Sequence, residues 1–212
     1  MKIIQCEQGT DAWRAARAGK VTASRVADIT ARTKTGYGAS RANYMAELIA
    51  ERLTGTPAEG YTNAAMQWGT EKEPEARAAY SAGLFDDVTC IGFVEHPTIA
   101  MAGCSPDSLV GEDGLAEFKC PNTATHIDIL LGQAIPAKYI TQMQFQMACT
   151  GRKWCDFCSY DPRLSENMKL FVKRVMRDEA MIASLESEVK QFISELDQKI
   201  AALISLYNRK AA

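Results

Sequence analysis

With 212 residues, 47% hydrophobic and 24% charged, the chain has the composition of an ordinary globular protein with enough apolar side chains to bury a sizeable core. Its longest apolar runs fall far short of a bilayer span, and its start, MKIIQCEQGTDAW, lacks the layout of an export signal, so neither a membrane nor a secreted protein is expected. A formal charge of −2 gives no sign of a uniformly basic surface and leaves a nucleic-acid partner only a local basic groove.

The chain opens with helical patterns. Thr10 or Asp11 can cap a short helix over DAWRAARAG, ended by Gly19. A second is expected over SRVADITAR, with Ser24 as N-cap. TKTGYGAS reads as a flexible loop. Residues 40–54 and 63–82 carry apolar positions at helical spacing, with Pro74 marking a local start or kink in the second. The middle turns to β: VTCIGFVEHP, IAMAGCSPDSLV and GLAEFKCP predict three strands broken by Gly and Pro. Helices follow near 123–131 and after Pro136 over KYITQMQFQMACT, then strands over WCDFCSYDP and MKLFVKRVMRD. From 178 to 208 runs an amphipathic helix with Met181, Leu185, Val189, Phe192, Ile193, Leu196 and Ile200 on one face. That stripe is a core face or, alternatively, a docking face. The sum is an α/β (α+β) fold, a central mixed β-sheet flanked by helices, in a single domain over 1–212 with a helical C-terminal segment.

Seven cysteines, an odd number, suggest reduced thiols in a cytosol. Cys155 and Cys158 have ligand-like spacing. On a strand, however, residues three apart point to opposite faces, which favours packing. His96 and His126 show no ligand spacing and read as structural or surface residues.

SPDSLVGEDGLAEFKCP crowds Asp107, Glu117 and Lys119 around a hairpin. Glu117 and Lys119 share one strand face while Ala116 and Phe118 take the other. A regular four-residue loop over 111–114 would pair Val110 with Leu115 and set Asp107 opposite Phe118; bringing Asp107 beside Glu117 needs a one-residue offset. Two carboxylates, a nearby carbonyl and water suit Mg²⁺, and an ammonium beside them can orient or deprotonate a water. Taken alone, the pattern reads first as a solvated strand face with a weak Glu–Lys pair.

Pro106-Asp107 followed by Glu117-Phe118-Lys119 resembles the PD-(D/E)-x-K nuclease signature. EQGTDAWRAARAGKVTAS, AMQWGTEKEPEAR, AGCSPDSL with GLAEFKCP, YITQMQFQM and FCSYDPR together resemble the lambda-type phage exonuclease family, the alkaline exonuclease and YqaJ-like viral recombinase group. The resemblance implies a restriction-endonuclease-like core and a 5′→3′ exonuclease on the ends of linear double-stranded DNA. Such an enzyme releases mononucleotides and leaves 3′ overhangs for recombination. The resemblance further implies that Asp107, Glu117 and the Phe118 carbonyl bind one or two Mg²⁺, with Mn²⁺ as a substitute, and that Lys119, Glu73 and Gln142 act near the nucleophilic water. Arg17, Ser24 and Ser105 match a pocket for the 5′-terminal phosphate. Tyr139 lies near the site or in the core, and Trp13 and Trp68 are expected in the core. The loop at Lys34, Thr35 and Gly36 lies where the family has a variable basic loop near DNA. A toroidal homotrimer, a single-strand annealing partner and a phage or prophage origin in bacterial cytoplasm are likewise implied. Two alternatives stand beside this: an iron–sulfur nuclease using Cys6, Cys149, Cys155 and Cys158, and a non-catalytic DNA-binding recombination module.

Overall fold

Alternation in GLAEFK gives a strand with two usable faces, and the architecture is arranged about it. The computed structural model describes residues 1–58, 63–83 and 87–208. The first half holds strand β1 (Lys2–Ile4), helix α1 (Asp11–Arg17), strand β2 (Val21–Thr22), helix α2 (Val26–Thr30), strands β3 (Arg32–Thr33) and β4 (Gly36–Tyr37), and helices α3 (Ala39–Thr54) and α4 (Ala64–Ser81). Strands β5 (Val88–Thr89), β6 (Phe93–Glu95), β7 (Ala102–Cys104), β8 (Ser108–Val110) and β9 (Gly114–Lys119) form the middle. Helices α5 (Thr123–Leu130) and α6 (Ala137–Thr150), strands β10 (Trp154–Tyr160) and β11 (Leu170–Met176), and helix α7 (Glu179–Asn208) complete the chain.

A five-stranded sheet in the order β11-β10-β9-β8-β5 lies at the centre, with β9 and β10 parallel and the other neighbours antiparallel. A second mixed sheet runs β1-β6-β7-β2. The two faces of β9 and β10 meet different helices. Ala116, Phe118, Cys158 and Tyr160 pack with Ala76 and Tyr80 of α4. Leu115, Cys155 and Phe157 pack with Met143 and Met147 of α6. Cys155 and Cys158 therefore point apart, as strand geometry requires. On α7, Leu185, Val189, Phe192 and Leu196 are buried against Tyr44, Leu48 and Phe145, each side chain contributing roughly 1.5–3 kcal/mol. The stripe is core, which removes it as a docking face.

Local details depart from expectation. The first two predicted strands each split in two, because Ile91-Gly92 and Ser105-Pro106-Asp107 leave the ladder. TKTGYGAS contributes to a small two-stranded ribbon, Arg32 opposite Tyr37 and Thr33 opposite Gly36, with the Arg32 guanidinium 3.7 Å from the Tyr37 ring centroid. Ser24 caps no helix: it sits inside a 3₁₀ turn, Ala23–Arg25, that precedes α2. Helix α4 runs unbroken through Pro74.

The β10–β11 connection is held by a charge cluster. Asp161 is fully buried and accepts from the Arg163 backbone at 3.0 Å and its guanidinium at 2.7 Å. Burial pushes the carboxyl up, but these donors outweigh it and bring its pKa down to about 2. A depressed carboxyl stabilises the fold above its unfolded pKa, roughly 3.9, and loses that contribution as pH falls toward its folded value. Asp161→Asn should therefore lower the urea midpoint at pH 7, and the gap to the parent should narrow steadily below about pH 4. A constant gap in urea titrations across that range would contradict the assignment.

Candidate active site

The short hairpin between β8 and β9 decides the site. Val110 pairs with Gly114, Leu109 with Leu115 and Ser108 with Ala116, so residues 111–113 alone form the loop. The loop is one residue shorter than the regular expectation. The shift brings Asp107 into line with Glu117 instead of Phe118. Gly111 takes φ 50°, a left-handed conformation that favours glycine. The Asp107 Oδ2 accepts the Phe118 N–H at 2.7 Å, closing the segment onto β9. From the other side, Gln8 Nε2 donates to the carbonyls of Ile91 and Pro106, each at 2.9 Å.

Glu117 is 1% exposed, and its carboxylate is fully engaged. Gln142 donates to Oε1 at 2.6 Å and Gln146 to Oε2 at 2.7 Å, while the Lys119 ammonium pairs with Oε1. Gln142 and Gln146 are one turn apart on α6 and share a face. Gln144, between them, turns away to the Met176 carbonyl and the Asp178 N–H. The Lys119 ammonium lies 5.0 Å from the Tyr139 ring centroid, and Tyr139 stacks on Phe157.

Of the three neighbouring glutamates on α4, Glu71 is exposed and Glu75 pairs with Lys72. Glu73 pairs with Arg77, which also donates to Ser108 Oγ at 2.9 Å and the Asp107 carbonyl at 3.2 Å. The cluster thus holds three carboxylates, Asp107, Glu117 and Glu73, against two cations, Lys119 and Arg77. Burial first, and then the negative charges of Glu117 and Glu73, push Asp107 well above the usual carboxylate range. Burial pulls the Lys119 ammonium down, but Glu117 and Asp107 outweigh it and hold its pKa above the ordinary lysine value.

The charged form of Asp107, disfavoured in the metal-free cluster, is what a divalent cation would stabilise. Among the described residues no donor reaches Asp107 Oδ1, and no three His, Cys, Asp or Glu side chains form a metal cage. Two carboxylates with a carbonyl and water are how Mg²⁺ is commonly held, so the donor set fits. The cysteine alternative does not fit: Cys149 lies in the α7 core, Cys155 and Cys158 face opposite sides of β10, and Cys6 lies beside Ile4. His126 is buried between Ser159 and the Met168 carbonyl, and His96 accepts from the Thr98 and Ile99 N–H groups.

A net-cationic pocket of about 250 Å³ opens beside α1, lined by Arg14, Arg17, Lys20 and Arg25 against Glu47 and Glu51, with Trp13 and Ser24 in its wall. The Thr10 cap starts α1 by accepting the Trp13 N–H, which puts Trp13 and Arg17 on one face. The Arg17 guanidinium lies 4.1 Å from the Trp13 ring centroid. Trp13 Nε1 donates to Ser105 Oγ at 2.9 Å, and Arg17 reaches the same oxygen at 3.5 Å. Arg17 has no carboxylate partner among the described residues, and burial lowers its pKa. Gly19, between Ala18 and Lys20 of the lining, takes φ 70° and donates its N–H to Glu51 at 2.7 Å. Arg17 thus shares the pocket wall with Ser24 and contacts Ser105, which lies outside that lining and two residues from Asp107. Neither Trp13 nor Trp68 belongs to the core: Trp13 is a plate for Arg17, and Trp68 is half-buried under Arg163, 4.6 Å from its ring centroid. The Lys34–Gly36 loop is exposed at the tip of the β3–β4 ribbon.

Sequence reasoning missed Gln8, Trp13, Arg77 and Gln146 as parts of the site. Helical spacing was a usable signal for three of them: Trp13 with Arg17, Arg77 with Glu73 and Gln146 with Gln142 are each four apart.

The mixed α/β fold that carries this cluster and pocket is shared with solved exonuclease structures. A phage-related exonuclease from Haemophilus somnus 129PT superposes with TM-score 0.70 at 18% identity over 90% of this chain and 99% of that one, a likeness of fold. Alkaline exonuclease LHK-Exo from Laribacter hongkongensis is 56% identical, covering 96% of this chain and 100% of that one with TM-score 0.86. Its complex with dAMP gives TM-score 0.87. ExoD of Escherichia coli K12 is 31% identical over 71 residues, 34% of this chain and 80% of the relative. Residues 12–153 match the YqaJ-like viral recombinase domain, and the chain belongs to that family.

Proposed function

We propose that the chain is a Mg²⁺-dependent 5′→3′ exonuclease on the ends of linear double-stranded DNA, releasing mononucleotides and leaving 3′ single strands for recombination by annealing. The observation that carries this is the register of β8 on β9, which joins Asp107, Glu117 and Lys119 two residues from Ser105, whose Oγ is contacted by Arg17 of the cationic pocket. The 56% identical alkaline exonuclease and its dAMP complex support the reaction class and a nucleotide product.

Asp107, Glu117 and the Phe118 carbonyl are the groups that would hold Mg²⁺, with Mn²⁺ as substitute. When bound, such an ion polarises the scissile phosphate and offsets charge in an in-line displacement. Gln142 and Gln146 fix the Glu117 carboxylate, Lys119 orients the attacking water and balances phosphate charge, and Glu73 accepts a hydrogen bond from that water. Burial around Glu117 limits competing solvent and strengthens these contacts. This reading extends to a toroidal homotrimer around DNA, a single-strand annealing partner and a phage or prophage protein of bacterial cytoplasm. Among the described residues no helix is long and apolar enough to cross a membrane.

Arg17, Ser24 and Ser105 hold the 5′-phosphate in this reading. A guanidinium without a carboxylate partner is suited to two parallel contacts with a phosphate. Duplexes with 5′-phosphate ends should be degraded faster than 5′-hydroxyl ends, roughly 10-fold or more for a charge-assisted contact of this kind. Arg17→Ala should erase most of that difference and shorten processive runs. Equal rates on both ends in the parent enzyme would overturn the pocket assignment.

A further inference from the structure

We propose that Arg77 is a positioning residue that aims the Glu73 carboxylate at the reaction centre, a role that rests on the nuclease reading above. Arg77 follows Glu73 by one turn of α4 and pairs with its Oε1. The same Nη2 reaches the Asp107 carbonyl at 3.2 Å, and Nε donates to Ser108 Oγ at 2.9 Å. Ser108 Oγ itself donates to the Asp107 carbonyl at 2.7 Å. The guanidinium also lies 5.6 Å from the Phe118 ring centroid. One planar group therefore ties α4 to the segment entering β8 and to the flank of β9.

A surface pair at this spacing would join two residues of one helix and stop there. Arg77 instead spends three contacts across two elements. The adjacent Glu75–Lys72 pair is the internal control, since Lys72 binds Glu75 and lies 5.3 Å from the Trp68 ring centroid without touching the Asp107 segment. Glu73 side-chain exposure is 34% and that of Arg77 is 20%, so an untied Glu73 could swing toward solvent. Lysine replaces the fork only in part, because a point charge can pair with Glu73 but does not serve Ser108 and the Asp107 carbonyl in the same plane.

The test compares Arg77→Met, Arg77→Lys, Glu73→Gln and the Arg77→Met/Glu73→Gln double variant. Arg77→Met should lower kcat roughly 10–100-fold, the range for losing an orienting hydrogen bond beside a reaction centre, and Arg77→Lys should recover part of that. KM for duplex ends should hold within about twofold. Mn²⁺ affinity, measured by calorimetry without DNA, should do the same. In the Glu73→Gln background, Arg77→Met should cost no more than about twofold further, because the two act as one unit. Unchanged kcat in Arg77→Met, multiplicative losses in the double variant, or a fall in Mn²⁺ affinity matching the fall in kcat would each overturn the proposal. If Arg77→Met does not melt cooperatively, Arg77→Lys against Glu73→Gln carries the same comparison. Retained activity in Asp107→Ala would sink the nuclease site itself, a separate failure.

Discussion

Asp107→Ala and Glu117→Ala should each reduce Mg²⁺-dependent DNA hydrolysis roughly 10³-fold or more, the loss expected when several kcal/mol of charge stabilisation disappear from the transition state. Each removes one of the two side-chain oxygen donors of the site, and Glu73, the remaining carboxylate of the cluster, is engaged by Arg77. The two variants should differ in their effect on the fold. Glu117 is buried under three donors, so its removal leaves Lys119, Gln142 and Gln146 without their acceptor. Asp107 is a carboxylate whose charged form burial and Glu117 disfavour, so its removal relieves a repulsion while giving up the Phe118 N–H contact. Glu117→Ala should therefore melt at lower temperature than Asp107→Ala in metal-free buffer. Hydrolysis assays on both purified variants, with melting curves as the folding control, check this. Substantial turnover in either folded variant removes that residue from the site.

Lys119→Ala should stop turnover while sparing cation binding. Its ammonium is held protonated by Glu117 and Asp107, so it contributes a fixed positive charge and a donor directed at Glu117, beside the proposed site of attack. Losing such a preorganised group costs roughly 10²–10³-fold in kcat. The carboxylates lose a counter-charge at the same time, so Ca²⁺ or Mn²⁺ should bind the variant at least as tightly as the parent. Ca²⁺, with looser geometry, should bind both proteins and support little cleavage. Calorimetry with Ca²⁺ and single-turnover hydrolysis with Mg²⁺ separate binding from chemistry. Weakened Ca²⁺ binding in Lys119→Ala would show that Lys119 builds the site instead of acting in it.

Long periodic elements were readable from the chain. Helices α3, α4, α6 and α7 and strands β9, β10 and β11 follow from repeats of 3.6 and 2, because their apolar faces have one place to go. The β8–β9 register was not readable, since three- and four-residue loops fit the same glycine and the choice moves Asp107 between Phe118 and Glu117. The 3₁₀ turn at Ser24 escaped because a serine before an apolar run equally signals a helix cap. Trp13 and Trp68 were misplaced because large aromatics are usually core, whereas here each lies against an arginine. Three glutamines alternate in YITQMQFQM, and only the packing of α6 on β9 separates Gln142 and Gln146 from Gln144. Glu73 stood out from Glu71 and Glu75 through resemblance alone; the structure adds Arg77 as the physical distinction.

The most direct measurement is a time course on linear duplex DNA carrying label at the 5′ or the 3′ end, incubated with purified protein and Mg²⁺, with a circular duplex alongside. The expected result is early release of the 5′ label as mononucleotide, retention of the 3′ label on progressively single-stranded product, and an intact circle. No hydrolysis with Mg²⁺ or Mn²⁺, cutting of the circle, or early release of the 3′ label would contradict a 5′→3′ exonuclease built on Asp107, Glu117 and Lys119.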